Sequence, residues 1–214
     1  MEDLATADGF AIGPFGSRMK TEHYTTEGAR VVRGQNITSD GRITGEFVYI
    51  SNDFADSLGS ARLRAGDITL PHRGAIGRAA LVRADDMVMS TSLMRVRVNP
   101  RRADPRFVAA YLSSREGERE VLQFASTVGT PGIGQPLSSL RKVKLPLPPL
   151  PEQRRIASVL GAFDDLIAIE QRNADLCDDL WRAILRARMD APIELPLSSL
   201  ATFCQWEELH QGCE

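Results

Sequence analysis

Few of the features that assign a chain to a functional class at sight are present. Among the 214 residues there is no run of eighteen apolar residues, and the amino end carries no basic region followed by an apolar core. The expectation is a cytoplasmic protein that neither spans a membrane nor is secreted. Cysteine is scarce: Cys177, Cys204 and Cys213 are odd in number and lack CxxC spacing, so reduced thiols are expected rather than a disulfide framework. Cys204, His210 and Cys213 could outline a metal site, but an unstructured tail explains them more simply, and no metal is expected.

Catalytic groups are equally thin. His23, His72 and His210 are scattered, and none has a serine or cysteine arranged beside it as a nucleophile pair. An adenine methyltransferase would show Asn- or Asp-Pro-Pro-aromatic, whereas the only Pro-Pro, Pro148-Pro149, follows Leu147. Gly129 to Gly134 lacks the Lys and Ser or Thr of a phosphate loop. Gly132-Ile133-Gly134 has no third glycine and leads into Pro136, which argues against a dinucleotide cradle. The chain is read as a non-enzyme without a cofactor.

Against these absences stands one conspicuous stretch. Leu145 to Pro151 holds four prolines in seven positions, which makes it an extended, semi-rigid connector. Pro151 and Glu152 suit the first turn of a helix, so a helix is expected from about residue 151. Beyond it Ile156, Leu160, Phe163, Ile167, Ala174, Cys177, Trp181 and Ile184 recur in steps of three and four, close to the heptad period. No Pro or Gly interrupts Ala162 to Ala191, and Pro192 stops the pattern. The helix would be on the order of 55 Å long, with one apolar face that needs a partner. A core helix packed along its own domain is the competing reading, weakened because few other helical segments exist to bury it.

The run Leu147-Pro148-Pro149-Leu150-Pro151-Glu152-Gln153-Arg154-Arg155-Ile156-Ala157, followed by Val159-Leu160 and Phe163-Asp164-Asp165-Leu166-Ile167, resembles the junction between recognition domain and spacer helix in the DNA-specificity subunits of type I restriction-modification systems. Upstream, Gly13-Pro14-Phe15-Gly16-Ser17, Gly66-Asp67-Ile68, Arg73-Gly74-Ala75-Ile76-Gly77-Arg78 and Ser90-Thr91-Ser92-Leu93-Met94-Arg95-Val96 extend the resemblance over roughly residues 4 to 190. Full-length members carry two recognition domains and two antiparallel helices, each domain reading half of a split target. This chain has room for one copy. Leu4-Ala5-Thr6 is echoed by Leu200-Ala201-Thr202 after the helix, where a second repeat would begin. The expected organisation is a DNA-binding recognition domain over 1–150, a spacer and dimerisation helix over 151–191, and a tail over 192–214 resembling the start of a second repeat.

Charge divides along the same line. Residues 1–150 hold 20 basic and 16 acidic side chains, a net of +4, whereas residues 151–214 hold 6 and 12, a net of −6. Phosphate would repel the acidic part, which better suits a protein partner. The head reads as α+β. Val31-Val32, Phe47 to Ile50, Ile68 to Leu70, Ala79 to Val82 and Leu93 to Val98 favour strands, with Arg95 and Arg97 on a solvated face. Pro105 to Phe124 reads as a helix started by Asp104.

Glycine-rich turns in the head carry basic and amide side chains, the combination that reading of DNA requires. The candidate contacts are Ser17, Arg18 and Lys20 after the first glycine loop; Arg33, Gln35 and Asn36; His72, Arg73 and Arg78; and Thr127, Thr130 and Gln135. Arginine is the commonest bidentate reader of guanine, and Asn and Gln pair with adenine. Arg141, Lys142 and Lys144 suit phosphate contacts that carry no sequence information. Taken singly, each loop reads equally well as a plain turn with solvated charges; the set carries the argument.

The resemblance implies a non-catalytic subunit that binds one half of a bipartite site in double-stranded DNA. It would work with an S-adenosylmethionine-dependent adenine methyltransferase subunit and an ATP-dependent restriction subunit. Two chains paired through their helices would read an interrupted palindrome. The alternatives are a truncated interaction protein that captures the methyltransferase or another specificity subunit without reading DNA, and an unrelated enzyme with a helical dimerisation arm.

Overall fold

The structure, a computed structural model, describes residues 1–14, 18–126 and 131–189. It divides into two units, Met1–Gly161 and Ala162–Glu214.

The first unit is organised around one antiparallel sheet, with β1 (Ala5–Ile12) beside β8 (Leu93–Val98), then β5 (Ile68–Pro71) and β6 (Ala80–Leu81). Side chains alternate across a strand, so this sheet has a core on each side. Ile68, Leu70, Met94, Val96 and Val98 pack against α2 (Pro105–Leu112), α3 (Arg115–Leu122) and α4 (Pro136–Lys142) through Phe107, Val108, Leu112, Val121 and Leu140. Ala11, Ala80 and Leu93 belong to a second core with Val31, Val32, Ile37, Ile50, Leu63 and Val88. That core sits under a second sheet of β2 (Tyr24–Thr25), β4 (Val48–Ile50), β3 (Ala29–Val32) and β7 (Met87–Met89), in which β3 and β7 run parallel. The helix α1 (Asn52–Ser57) contributes Ala55 to it. A two-stranded hairpin of β9 (Ala125–Ser126) and β10 (Gly132–Ile133) completes the unit. The α+β class and the strand-rich head followed by a long helix are as the sequence implies.

Two local expectations are corrected. Arg95 does not face water, and Arg97 is only partly exposed. Arg95 is 3% exposed, and its guanidinium donates to the carbonyls of Ser60 and Gly9, both at 3.2 Å. Arg97 donates twice to the fully buried Asp67, at 2.6 and 2.8 Å. Asp67 also accepts the Arg64 backbone N–H at 2.9 Å, so the buried carboxylate holds three hydrogen bonds, and its charge 3.9 Å from Arg95 Nε makes burial of that arginine tolerable. Burial pulls the Arg95 pKa down against the nearby Asp67, while the hydrogen bonds to Asp67 push that of Arg97 up.

The second correction concerns Pro105 to Phe124, which forms two helices rather than one. Asp104 caps α2 by accepting the Arg106 N–H at 2.9 Å, as its position implies. The chain then breaks at Ser113–Ser114, and the Ser114 hydroxyl caps α3 by accepting the Gly117 N–H at 3.2 Å. A Cβ at Gly117 would lie 2.0 Å from the Tyr111 carbonyl oxygen, so the two helices can cross this tightly only over glycine.

The helix α5 (Leu150–Met189) begins inside the first unit. Ala157 joins the core, and Gln153, 1% exposed, accepts the Asp104 N–H at 3.0 Å while donating to the Pro148 carbonyl at 2.8 Å. One buried amide thereby ties the proline connector, the cap of α2 and the first turn of α5 together. In the second unit every described side chain of the helix is exposed, including Phe163, Ile167, Trp181 and Ile184.

Candidate nucleic-acid interface

Turns that lie far apart in the sequence meet around His72 and Arg73. β5 ends at Pro71, and the His72 N–H donates to the Ser92 carbonyl at 2.9 Å, holding this point against the turn before β8. On its other side the Ile133 N–H donates to the His72 carbonyl at 2.9 Å and the Gly74 N–H to Pro131 at 3.3 Å, so the β9–β10 hairpin is pinned to the same point. The end of β1 arrives through Gly13, whose N–H donates to the Leu93 carbonyl at 2.8 Å. A Cβ there would fall 1.8 Å from the Ser90 carbonyl oxygen, so only glycine lets the two turns approach this closely. The turn at 33–36 lies alongside: a Cβ at Gly34 would rest 3.8 Å from Pro71 Cβ and 3.9 Å from the Arg73 carbonyl oxygen.

Between these turns opens a cleft of about 590 Å³, lined by the Ile12–Pro14 and Gly132–Gly134 segments, His72, Arg73, Thr91, Ser92, Ser126 and Pro136. No carboxylate lines it among the described residues. His72 is 4% exposed, and its Nε2 lies 3.2 Å from the Thr91 carbonyl oxygen, which can only accept, so Nε2 carries the proton. Nδ1 has no hydrogen-bond partner among the described residues. Burial holds the imidazole below its ordinary value of 6.5, opposed by the Thr91 carbonyl and reinforced by the Arg73 charge. The wall is therefore neutral at neutral pH, and the positive charge of the cleft belongs to Arg73, exposed and without a hydrogen bond or ion pair to the described residues.

The other sequence candidates fall into three groups. Several make polar contacts within the protein, Asn36 with its whole amide and the others through one group each. Asn36 is 1% exposed, accepts the Arg33 N–H at 3.0 Å and donates to the carbonyls of Thr44 and Glu46 at 3.0 and 2.9 Å. The guanidinium of Arg33 reaches the Glu46 carbonyl at 3.4 Å, that of Arg18 the Ser57 carbonyl at 3.4 Å, and that of Arg78 the Ile37 carbonyl at 2.9 Å. Lys20 lies 3.5 Å from Glu22. A second group is exposed: Gln35, Gln135 at the start of α4, Lys142, Lys144, and Arg141, whose guanidinium lies 5.2 Å from the Phe10 ring centroid. Ser17, Thr127 and Thr130, with Cys204, His210, Cys213 and the repeat-like tail, lie outside the described residues. Sequence reasoning did not nominate Thr91 or Ser92; the Ser-Thr-Ser turn between two strands was the available signal.

Along α5, Leu160 is 42% exposed, Ile167 49%, Ile184 50%, and Phe163 and Trp181 both 59%; Ala174 and Cys177 lie open on the same stripe. Ile156, near the helix start, is partly covered by the first unit's core. Val159, Leu166, Ile169, Leu176 and Leu180 form a second exposed stripe one residue earlier, about 100° round the helix. Among the described residues no helix is long and apolar enough to cross a membrane, and no group of three or more His, Cys, Asp or Glu is placed to hold a metal ion.

Solved structures share this fold. A chain from a structure described as the structural basis of complex assembly and conformational transition of the type I R-M system superposes with a TM-score of 0.55 at 20% identity, over 85% of this chain and 42% of its own. The HsdS subunit from Thermoanaerobacter tengcongensis gives 0.52 at 20% identity over 80% and 37%, and the type I restriction-modification S subunit from M. genitalium gives 0.53 at 19% over 77% and 37%. In sequence the chain is 24% identical over 145 residues to a Methanocaldococcus jannaschii protein provisionally named type I restriction enzyme MjaX specificity subunit, covering 64% of this chain and 33% of that one. The chain thus spans less than half the length of these relatives. Residues 15–175 match the type I restriction modification DNA specificity domain, and the chain belongs to that family.

Proposed function

We propose that this protein is a DNA-specificity subunit of a type I restriction-modification complex, non-catalytic itself, whose head reads one half of a bipartite target in double-stranded DNA. In this reading residues 1–150 are the recognition domain, 151–191 the spacer and dimerisation helix, and 192–214 the opening of a second repeat. The observation that carries it is the convergence of the family's glycine turns on one cleft that, among the described residues, holds no carboxylate and keeps an arginine without an internal partner at its edge, in a head of net charge +4. The stripe from Ile156 to Ile184 supports pairing of two copies through their helices, which would present two heads to an interrupted palindrome. The second stripe, left uncovered by such a pair, supports capture of a further chain, for which an S-adenosylmethionine-dependent adenine methyltransferase and an ATP-dependent restriction subunit are the candidates.

Single-molecule methylation sequencing tests the proposal, using DNA from cells that express this chain with its cognate methyltransferase. A new N6-methyladenine motif in two separated halves is expected, palindromic if the chain pairs with itself. A stable complex with the methyltransferase but no new motif would sink the DNA-reading role in favour of a truncated interaction protein.

A further inference from the structure

We propose that Arg73 selects a guanine within the half-site, an inference that rests on the DNA-recognition role above. A base-reading side chain needs a fixed backbone and an uncommitted head. The backbone around Arg73 is held from two directions, by the His72 N–H on the Ser92 carbonyl and by the pairing of Arg73 with Gly132 of the hairpin. Four arginines were nominated as readers. The guanidinium groups of Arg18, Arg33 and Arg78 each donate to a backbone carbonyl of the protein, although Arg33 Nε finds no acceptor among the described residues, whereas that of Arg73 has neither a hydrogen bond nor an ion pair among them.

The charge surroundings point the same way. No described cleft residue is acidic, and the adjacent His72 is held neutral, so no described residue beside Arg73 competes for its N–H donors. Its planar fork fits the O6 and N7 acceptors of guanine in the major groove with two fixed parallel donors, where a lysine would bring a single flexible ammonium. Thr91 and Ser92 line the same cleft, and a hydroxyl can donate to or accept from a base edge; that of Ser92 lies 3.2 Å from the Ser90 hydroxyl. Arg141, Lys142 and Lys144 lie apart from the cleft lining and supply the sequence-blind comparison.

The test uses the full chain in complex with its methyltransferase and duplexes in which each base pair of the methylated motif is replaced singly. The wild-type complex is expected to discriminate against loss of one G·C pair by about 5- to 150-fold, the range of a good bidentate contact. R73A should bring that ratio close to one at that position and leave the others unchanged, whereas R73K, which keeps the charge but not the fork, should retain a smaller preference for the same base pair. Replacing Arg141 and Lys142 with alanine should weaken every duplex alike and flatten the salt dependence. An unchanged ratio in R73A, or a uniform loss across all duplexes, overturns the assignment to Arg73 while leaving DNA recognition standing. A wild-type complex without salt-sensitive DNA affinity overturns the recognition role itself.

Discussion

At the scale of single residues, the head separates side chains that build from side chains that remain available. Asn36 shows why sequence alone cannot sort them: its amide is as good an adenine reader as any, yet every polar atom in its reach belongs to the surrounding turn. Arg78 is similarly legible as a candidate and illegible as to outcome, because the carbonyl it meets is Ile37, 41 residues away. His72 carries a pH prediction. Its folded pKa lies below the ordinary 6.5, so the unfolded chain binds more protons between the two values. The contribution to stability is complete above 6.5 and is lost as pH falls through the folded value. The thermal midpoint of the wild type should therefore drop between pH 7 and pH 5 by more than that of H72Q; parallel pH profiles for the two proteins would refute this. Below about pH 4 the protonation of Asp40, Asp86 and Asp104, each held low against its burial by an arginine partner and Asp40 also by the Thr38 hydroxyl, adds a separate loss in both proteins.

At the scale of elements, the strands rich in Val, Ile and Leu were legible, and so was the long helix, because period and length are local properties. β1 was not. Its sequence, Ala-Thr-Ala-Asp-Gly-Phe-Ala-Ile, has little strand propensity, and it is held by pairing with β8 through a register shift between Ala5 and Phe10. The break between α2 and α3 was hidden for a comparable reason, since a glycine inside a helical pattern signals a close crossing only once the other helix is in place. The candidate site was legible as a set of turns but not as a cleft, because the contacts that gather them link residues 13, 34, 72, 92 and 133 across the chain. Gln153 bears the corresponding prediction. Replacing it with Met keeps the volume but strands the Asp104 N–H, and should cost about 1–3 kcal/mol in urea unfolding. No loss in Q153M would mean that the connector is held by packing alone.

At the scale of the whole molecule, the exposed helix makes association the central prediction. F163E combined with W181E places two charges on the stripe and should shift the sedimentation coefficient of the protein to that of a monomer, without lowering the unfolding midpoint of the head. A wild type already monomeric at micromolar concentration would contradict pairing through this stripe. The topology of the central sheet also bears on synthesis. Phe10 to Ile12 pair with Met94 to Val96, so β1 waits for more than eighty residues to be made before its partner exists. At typical translation rates that interval is roughly 4–17 s, during which the backbone of β1 is open to any strand it meets. A segment of Val and Ile in that position would offer neighbouring nascent chains a template, whereas the Asp8-Gly9 step and the alanines of β1 do not. The weak strand propensity that conceals β1 from a reader of the sequence conceals it equally from other chains on the polysome.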